Sequence, residues 1–369
     1  MTWLRRSRRG PCEEVAGCVA RLAETKNQIP RKDQIMAKLL ETGQVGKREH
    51  LLDVISLVDA KKYPLTSMAK KSVVPKNTTI EYQVDSYADP SFDGVLDGED
   101  VTAHENMAEN RAKLAARIQI FRRSPMVSLL SQEVSDPAGV GSGGEMARAV
   151  AKSLEMLKRD MECAFCSDRE SQSESKPNPY RTRGLGNWIN NSAQSDLPVT
   201  DGYRTPAASI DTTATGSLAE SNVNAVLQSM WDETGADKTF TLLCGRSLRS
   251  RFTTFTAIQT ASTNVMSAVR MFMQNDARKI VNTIDIWEGD FGTLELMPSH
   301  WLAKDNASSA VQRARGYIID RDLVEIAFHT APKRKPLQDG GGGPREIVYA
   351  IAALLVKNPL ALGAFKATS

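Results

Sequence analysis

Residues 79–123 read TIEYQVDSYADPSFDGVLDGEDVTAHENMAENRAKLAARIQIFRR. At the start Ile80, Tyr82 and Val84 alternate with Thr79, Glu81, Gln83 and Asp85, the period of two that gives a strand one apolar face. A second alternation, Leu114, Ala116, Ile118 and Ile120, closes the stretch, so the two ends are expected to pair as a long hairpin. The sequence between them is lopsided. Residues 81–110 carry nine acidic side chains, Glu81, Asp85, Asp89, Asp93, Asp97, Glu99, Asp100, Glu105 and Glu109, and no Lys or Arg. Basic groups stand on either side: Lys61, Lys62, Lys70, Lys71 and Lys76 before, and Arg111, Lys113, Arg117, Arg122 and Arg123 after.

A block of one sign repels itself, so this tip either projects into solvent or meets the basic surface of another subunit. The second reading is preferred. It makes Asp93, Asp97, Glu99, Asp100, Arg111, Arg122 and Arg123 the candidate contacts between subunits.

Outward from the hairpin, the N-terminal stretch holds short amphipathic pieces: Val15, Cys18, Val19 and Leu22, then Ile35, Met36, Leu39 and Leu40, then Leu51 to Val58. Such pieces enclose no core of their own and read as an arm that packs on something else. On the other side, Glu145 to Asp168 is the best helix of the chain. Met146, Val150, Leu154, Leu157, Met161 and Phe165 form one apolar stripe, with Arg148, Lys152, Glu155, Lys158, Arg159 and Glu162 elsewhere. Its roughly 36 Å make it a spar. Farther on, Ser217 and Glu220 are expected to form a capping box. The helix it opens carries Leu218, Val223, Val226, Leu227, Met230 and Trp231 and stops near Gly235. The strand Phe240 to Cys244 and a basic helix Ser247 to Phe255 complete an α/β unit. Strands follow at Ile280 to Ile286, Thr293 to Met297, Tyr317 to Asp320, Val324 to Phe328 and Ile347 to Val356, and no repeat of 20 to 50 residues is visible.

Composition bounds the reading. The 369 residues contain 47 Lys and Arg against 44 Asp and Glu, with 25% charged and 41% hydrophobic residues, which excludes bulk disorder and a wholly basic nucleic-acid binder. The charge is segregated, because the first fifty residues hold 11 Lys and Arg against 6 Asp and Glu and the remainder is slightly acidic. Ser7-Arg8-Arg9 and the string Val15 to Cys18 imitate export signals without the apolar run these need. Ile347 to Val356 is about half of a bilayer crossing, closed by Lys357, and reads as a buried strand. Five cysteines without a secretory signal point to reduced thiols.

The chemical motifs are sparse. Gly139 to Gly144 matches G-x-G-x-x-G, but Gln132 to Ala138 is no hydrophobic strand and no βαβ unit surrounds it, so a hinge into the long helix accounts for it better. Asp89, Ser91, Asp93, Asp97 and Asp100 fall on calcium-ligand positions of an EF-hand-like loop with Gly94 at the turn. Against a metal site stand Pro90, Asp100 in place of the bidentate Glu, and a preceding strand instead of a helix. Cys163 and Cys166 form a lone C-x-x-C without a second ligand pair, and read as helical thiols. His50, His104, His300 and His329 sit in no hydrolase, zinc-protease or Walker motif, so neither catalysis nor a cofactor is expected. Arg5, Arg6, Arg8 and Arg9 beside Trp3 form a basic tip, either solvated or touching phosphates nonspecifically.

The order of parts resembles the major capsid proteins of tailed double-stranded DNA bacteriophages, the Hong Kong 97 fold. The resemblance is carried by LLDVISLVDAKKYPLTSMAKK (51–71), EYQVDSYADPSFDGVLDGEDV (81–101), GEMARAVAKSLEMLKRDMECAFCSDRE (144–170), RGLGNWI (183–189), TLLCGRSLRSRF (241–252), DIWEGDFGTLELMPS (285–299) and VKNPLALGAF (356–365). It implies an α+β fold with an N-terminal arm at 1–60 and an extended β-hairpin loop at 76–125. A peripheral domain would comprise 61–75 and 126–199 with its spine helix at 145–168, and an axial domain 200–280. Returning strands at 281–369 would be shared by both. Residues 1–45 match nothing in that plan and read as a longer arm, a scaffold-like segment or an over-long start. The implied function is structural: pentamers and hexamers of an icosahedral head around packaged DNA, assembled in the host cytoplasm with portal and scaffold or protease proteins, with no membrane and no enzyme activity. An encapsulin-like compartment shell keeps the fold with another cargo. A soluble nucleotide-binding enzyme using the glycine run is the alternative from a different class.

Overall fold

The computed structural model describes residues 62–73, 77–102, 104, 106–133, 144–235, 238–255, 285–304, 314–338 and 340–367. Residues 1–51 and 52–369 form separate units, and all described residues belong to the second. The expected arm helices, the arginine tip, the run Gly139 to Ser142 with Gly143, and the start of the strand expected at Ile280 lie outside the described residues.

The described chain runs α1 (Pro64–Met68), β1 (Lys70–Val73), β2 (Thr79–Val84), β3 (Ala112–Arg117), β4 (Gln119–Arg123), α2 (Leu129–Glu133), α3 (Gly144–Phe165) and α4 (Leu185–Trp188). It continues with β5 (Ile210–Asp211), α5 (Glu220–Thr234), β6 (Thr239–Cys244), α6 (Arg246–Phe255), β7 (Ile286–Gly289), β8 (Gly292–Pro298), β9 (Gly316–Ile319), β10 (Val324–Leu337), β11 (Arg345–Val356) and β12 (Gly363–Phe365). Two sheets and a separate ribbon result. One sheet has the order β1-β10-β11-β4, the other β5-β12-β9-β6-β8-β7, and β2 pairs with β3 alone.

The spar helix α3 lies on the four-stranded sheet because its stripe and the even-numbered residues of β11 face each other. Leu157, Met161 and Phe165 are fully buried with Val348, Ala350, Ala352 and Leu354 in one core, and Val150 and Leu154 pack against it. Phe165 meets Phe121 edge-on, ring centroids 5.8 Å apart. Each of the buried Leu, Met, Phe and Val side chains contributes roughly 1.5–3 kcal/mol. Glu162, expected on the polar face, is also fully buried. Its carboxylate accepts from the backbone N–H of Leu65 at 2.8 Å and of Thr66 at 2.7 Å, and from the Thr66 hydroxyl. The side chain therefore caps α1, whose first-turn N–H groups have no partner of their own.

The central strands of the six-stranded sheet, β12, β9 and β6, are buried on both faces, which explains continuous apolar strands where alternation would otherwise show. In β6, Leu243 faces the core beneath α3 while Phe240, Leu242 and Cys244 face a second core. That second core is closed by Val223, Val226, Leu227 and Met230 of α5 with Leu248 and Phe252 of α6. The capping box is displaced: α5 starts at Glu220, and it is Asn222 that accepts from the Ala219 N–H at 3.3 Å, while Ser217 sits in the preceding turn. Gly235 ends the helix in the left-handed conformation at φ 59°, where a glycine carries no Cβ penalty. Trp231, expected on the apolar stripe, is 41% exposed and leans on Phe291.

The hairpin is shorter than its sequence pattern. β2 and β3 pair antiparallel from Thr79 with Arg117 to Val84 with Ala112, but β4 pairs with β11, Ile351 opposite Ile120. The alternation breaks at Ile118. Leu114, Ala116 and Ile118 are buried, then the inward face passes to Phe121 and Ile120 turns outward, 58% exposed.

Candidate subunit interface

The ribbon β2–β3 ends in the loop 85–111, which carries six exposed large apolar side chains. Tyr87, Phe92, Val95, Leu96, Val101 and Met107 are between 73% and 101% exposed. An apolar group of that size in water marks a docking surface. The sequence displayed it as large apolar residues scattered through the acidic block without a period of two or 3.6, a signal that charge counting alone passes over.

At the base of the loop two of the nine acids are neutralised across the ribbon: Glu81 by Lys113 at 2.6 Å and Asp85 by Arg111 at 3.2 Å. Arg111, a candidate contact between subunits, thus serves its own ribbon. Asp89, Asp93, Asp97, Glu99, Asp100 and Glu109 are exposed. Glu105 lies outside the described residues. Within the loop Glu99 accepts from the Leu96 N–H at 3.3 Å and Ser91 from the Asp93 N–H at 3.3 Å. Asp89, Ser91, Asp93, Asp97 and Asp100 sit on this open loop, and among the described residues no three His, Cys, Asp or Glu side chains converge to hold a metal ion. Arg123 is tied to Asp160 of α3 by two bonds of 2.6 Å, and Arg122 on the neighbouring position is exposed. Cys166 and Cys244 are buried free thiols, and burial pushes the Cys166 thiol well above its ordinary range.

The ribbon is latched to the body by groups the sequence reading did not single out. Arg117 donates to both oxygens of Asp196 at 2.6 and 2.8 Å and to Thr79 at 3.3 Å. That guanidinium holds the Asp196 carboxyl below the usual carboxylate range. Asp196 is presented by a loop fixed from behind. Glu170 accepts from the Asp196 N–H at 3.1 Å, and the buried Arg183 donates to the carbonyls of Asp196 at 2.9 Å and Leu197 at 2.5 Å. Arg183 also stacks on the Trp188 ring at 4.4 Å, and burial lowers its pKa to about 10. On the other edge, Tyr203 donates to the Asn110 carbonyl at 2.5 Å with Ser86 Oγ 3.2 Å away. Tyr82 donates to the Val356 carbonyl at 2.5 Å. The arrangement can therefore aim a rigid ribbon with an exposed acidic and apolar tip away from the core.

A spar helix on one sheet, a second sheet packed between two cores and a projecting ribbon make an α+β fold of the Hong Kong 97 type. Solved structures agree on the fold. The capsid of a native GTA particle superposes with a TM-score of 0.55 at 13% identity, covering 92% of this chain and 100% of that one. The capsid of cyanophage P-SCSP1u gives 0.52 at 10% identity over 87% and 93%, and that of Myoviridae phage XM1 0.52 at 12% over 86% and 96%. No curated protein sequence matches. The profile of the SU10 major capsid protein family matches residues 38–369, and the chain belongs to that family. It is a major capsid protein of the tailed-phage kind, a structural protein of the virion shell and not an enzyme. The expected α+β capsid fold is borne out, and the nucleotide-enzyme alternative falls away.

Proposed function

We propose that the chain assembles into hexamers and pentamers of an icosahedral head enclosing packaged double-stranded DNA, with the loop 85–111 laid over a neighbouring copy. The observation that carries this reading is the loop itself: six large apolar side chains in water, on a ribbon latched so that they stay away from their own core. Burial of Phe92 or Leu96 against a neighbour is worth roughly 1.5–3 kcal/mol each, multiplied over every copy of a closed shell. In this reading 1–60 is the arm, 76–125 the extended loop region, 61–75 with 126–199 the peripheral domain and 200–280 the axial domain, with 281–369 returning to both. Assembly takes place in the host cytoplasm with portal and scaffold or protease proteins. The Asp89 to Asp100 loop is assigned to subunit contact and not to calcium.

Electron microscopy of the purified protein, and of particles from infected cells, tests the reading. Closed shells, filled with DNA in the particles, are expected. Shells filled with protein cargo would turn the assignment to a compartment, and a monodisperse monomer at high concentration would overturn it.

A further inference from the structure

The ribbon needs a receiving surface, and one cleft has the matching chemistry. It lies between β4, the C-terminal end of α3 and the segment 167–182, with a volume of about 420 Å³. Four of its lining residues are arginines, Arg122, Arg123, Arg169 and Arg181, against one carboxylate, Asp160. Arg123 and Asp160 neutralise each other at 2.6 Å, and Arg122 and Arg181 leave the cleft positive. Its floor is β4, which among the described residues has a single strand neighbour, β11, and stands at the edge of the four-stranded sheet. Ile120, 58% exposed, is part of the lining. A basic cleft with an apolar contact beside an open strand edge fits an extended acidic and apolar peptide.

We infer that this cleft is the socket for the acidic loop of a second copy of the same chain, with Arg122 and Arg181 facing Asp93, Asp97 and Asp100. The inference rests on the shell-forming reading above and names the surface that reading leaves open. The chain carries its own complementary ligand: carboxylates at 89, 93, 97 and 100, with Phe92, Val95 and Leu96 between them. The loop of the same copy leaves from the far end of β3, about 20 Å of strand from the junction with β4. Nucleic acid would use the arginines but offers nothing to the apolar residues of the loop.

Charge-reversal rescue tests the pairing in the full-length protein. One variant carries Asp93→Lys, Asp97→Lys and Asp100→Lys, a second Arg122→Glu and Arg181→Glu, and a third all five. Each of the first two is expected to lower the yield of shells at least about tenfold, with an unchanged thermal midpoint and circular dichroism of the free subunit, and the third to restore shells. Normal shells from either partial variant, or no rescue by the third while all fold, overturns the socket. Should a reversal unfold the subunit, Asp97→Cys with Arg122→Cys decides: mild oxidation of its shells gives disulfide-linked oligomers if the socket holds and only monomers if it does not. Loss of DNA affinity in the second variant with normal shells would hand the cleft to nucleic acid, also against the proposal. Absence of shells from the unmodified chain is a different failure, that of the functional reading itself.

Discussion

Two antiparallel ribbons leave the body of this protein and end in opposite ways. β10–β11 runs from Val324 opposite Val356 to Leu337 opposite Arg345, with register shifts near Thr330, and its outer half exposes Lys333, Arg334 and Lys335. Its far end is sewn to its own chain: the Val127 N–H donates to the Pro344 carbonyl at 3.3 Å and the Glu346 N–H to the Pro125 carbonyl at 3.1 Å. Gly343, at φ 114°, lies so close to Val127 that any Cβ would strike the Val127 carbonyl oxygen. β2–β3 is sewn down along its paired strands, through Arg117, Tyr82 and Tyr203, and its tip offers large apolar side chains in place of lysines. A charged end is content in water. An apolar end is not, so the first ribbon finds its partner within the chain and the second needs one outside it.

The contrast breaks most visibly at the tip. Phe92→Ser with Leu96→Ser removes roughly 3–6 kcal/mol of burial per docked loop, which is expected to stop shell formation in sedimentation while the free subunit melts as before. An effect on the melt would mean that these residues belong to the subunit's own core. Next in size, Glu162→Ala deprives Leu65 and Thr66 of their acceptor at the start of α1, and a loss of about 3 kcal/mol in denaturant unfolding of the free subunit is expected. Unchanged stability would show that water replaces the carboxylate.

Arg117→Ala should loosen the β2–β3 latch by about 2 kcal/mol, seen as faster amide exchange at 79–84 and 112–117 with both cores unaffected. The same latch carries a pH signature. Because Asp196 titrates below its unfolded value of about 3.9, its contribution is complete above that value and is lost as pH falls through the lower folded value. The stability gap between the unmodified chain and Asp196→Asn should therefore shrink as pH is lowered through and below about 4, and a gap that stays constant would exclude the ion pair as its source. The smallest effect belongs to the other ribbon: Lys333→Ser with Lys335→Ser should change subunit stability by less than about 0.5 kcal/mol in the same unfolding assay.

Much of the fold was legible because its signals are local. The stripe from Met146 to Phe165 and the apolar run Ile347 to Val356 each declare their partner face within one element, and both took the expected form. What stayed hidden depends on residues far apart in the chain. Glu162 reads as surface charge until α1, 97 residues earlier, brings its N–H groups to it. The break at Ile118 leaves an unbroken alternation in the sequence, although the strand changes sheets there. Asp196 looks like an ordinary loop aspartate until Arg117 arrives from the ribbon. The acidic loop was found by its charge, while its apolar content, the property that demands a partner, became evident only through exposure.

The most direct measurement is hydrogen–deuterium exchange of residues 85–111 in the free subunit and in assembled shells. If neighbouring copies bury the loop, its amides exchange near the unprotected rate in the free subunit and at least about a hundredfold more slowly in the shell. Equally fast exchange in both states would contradict the account.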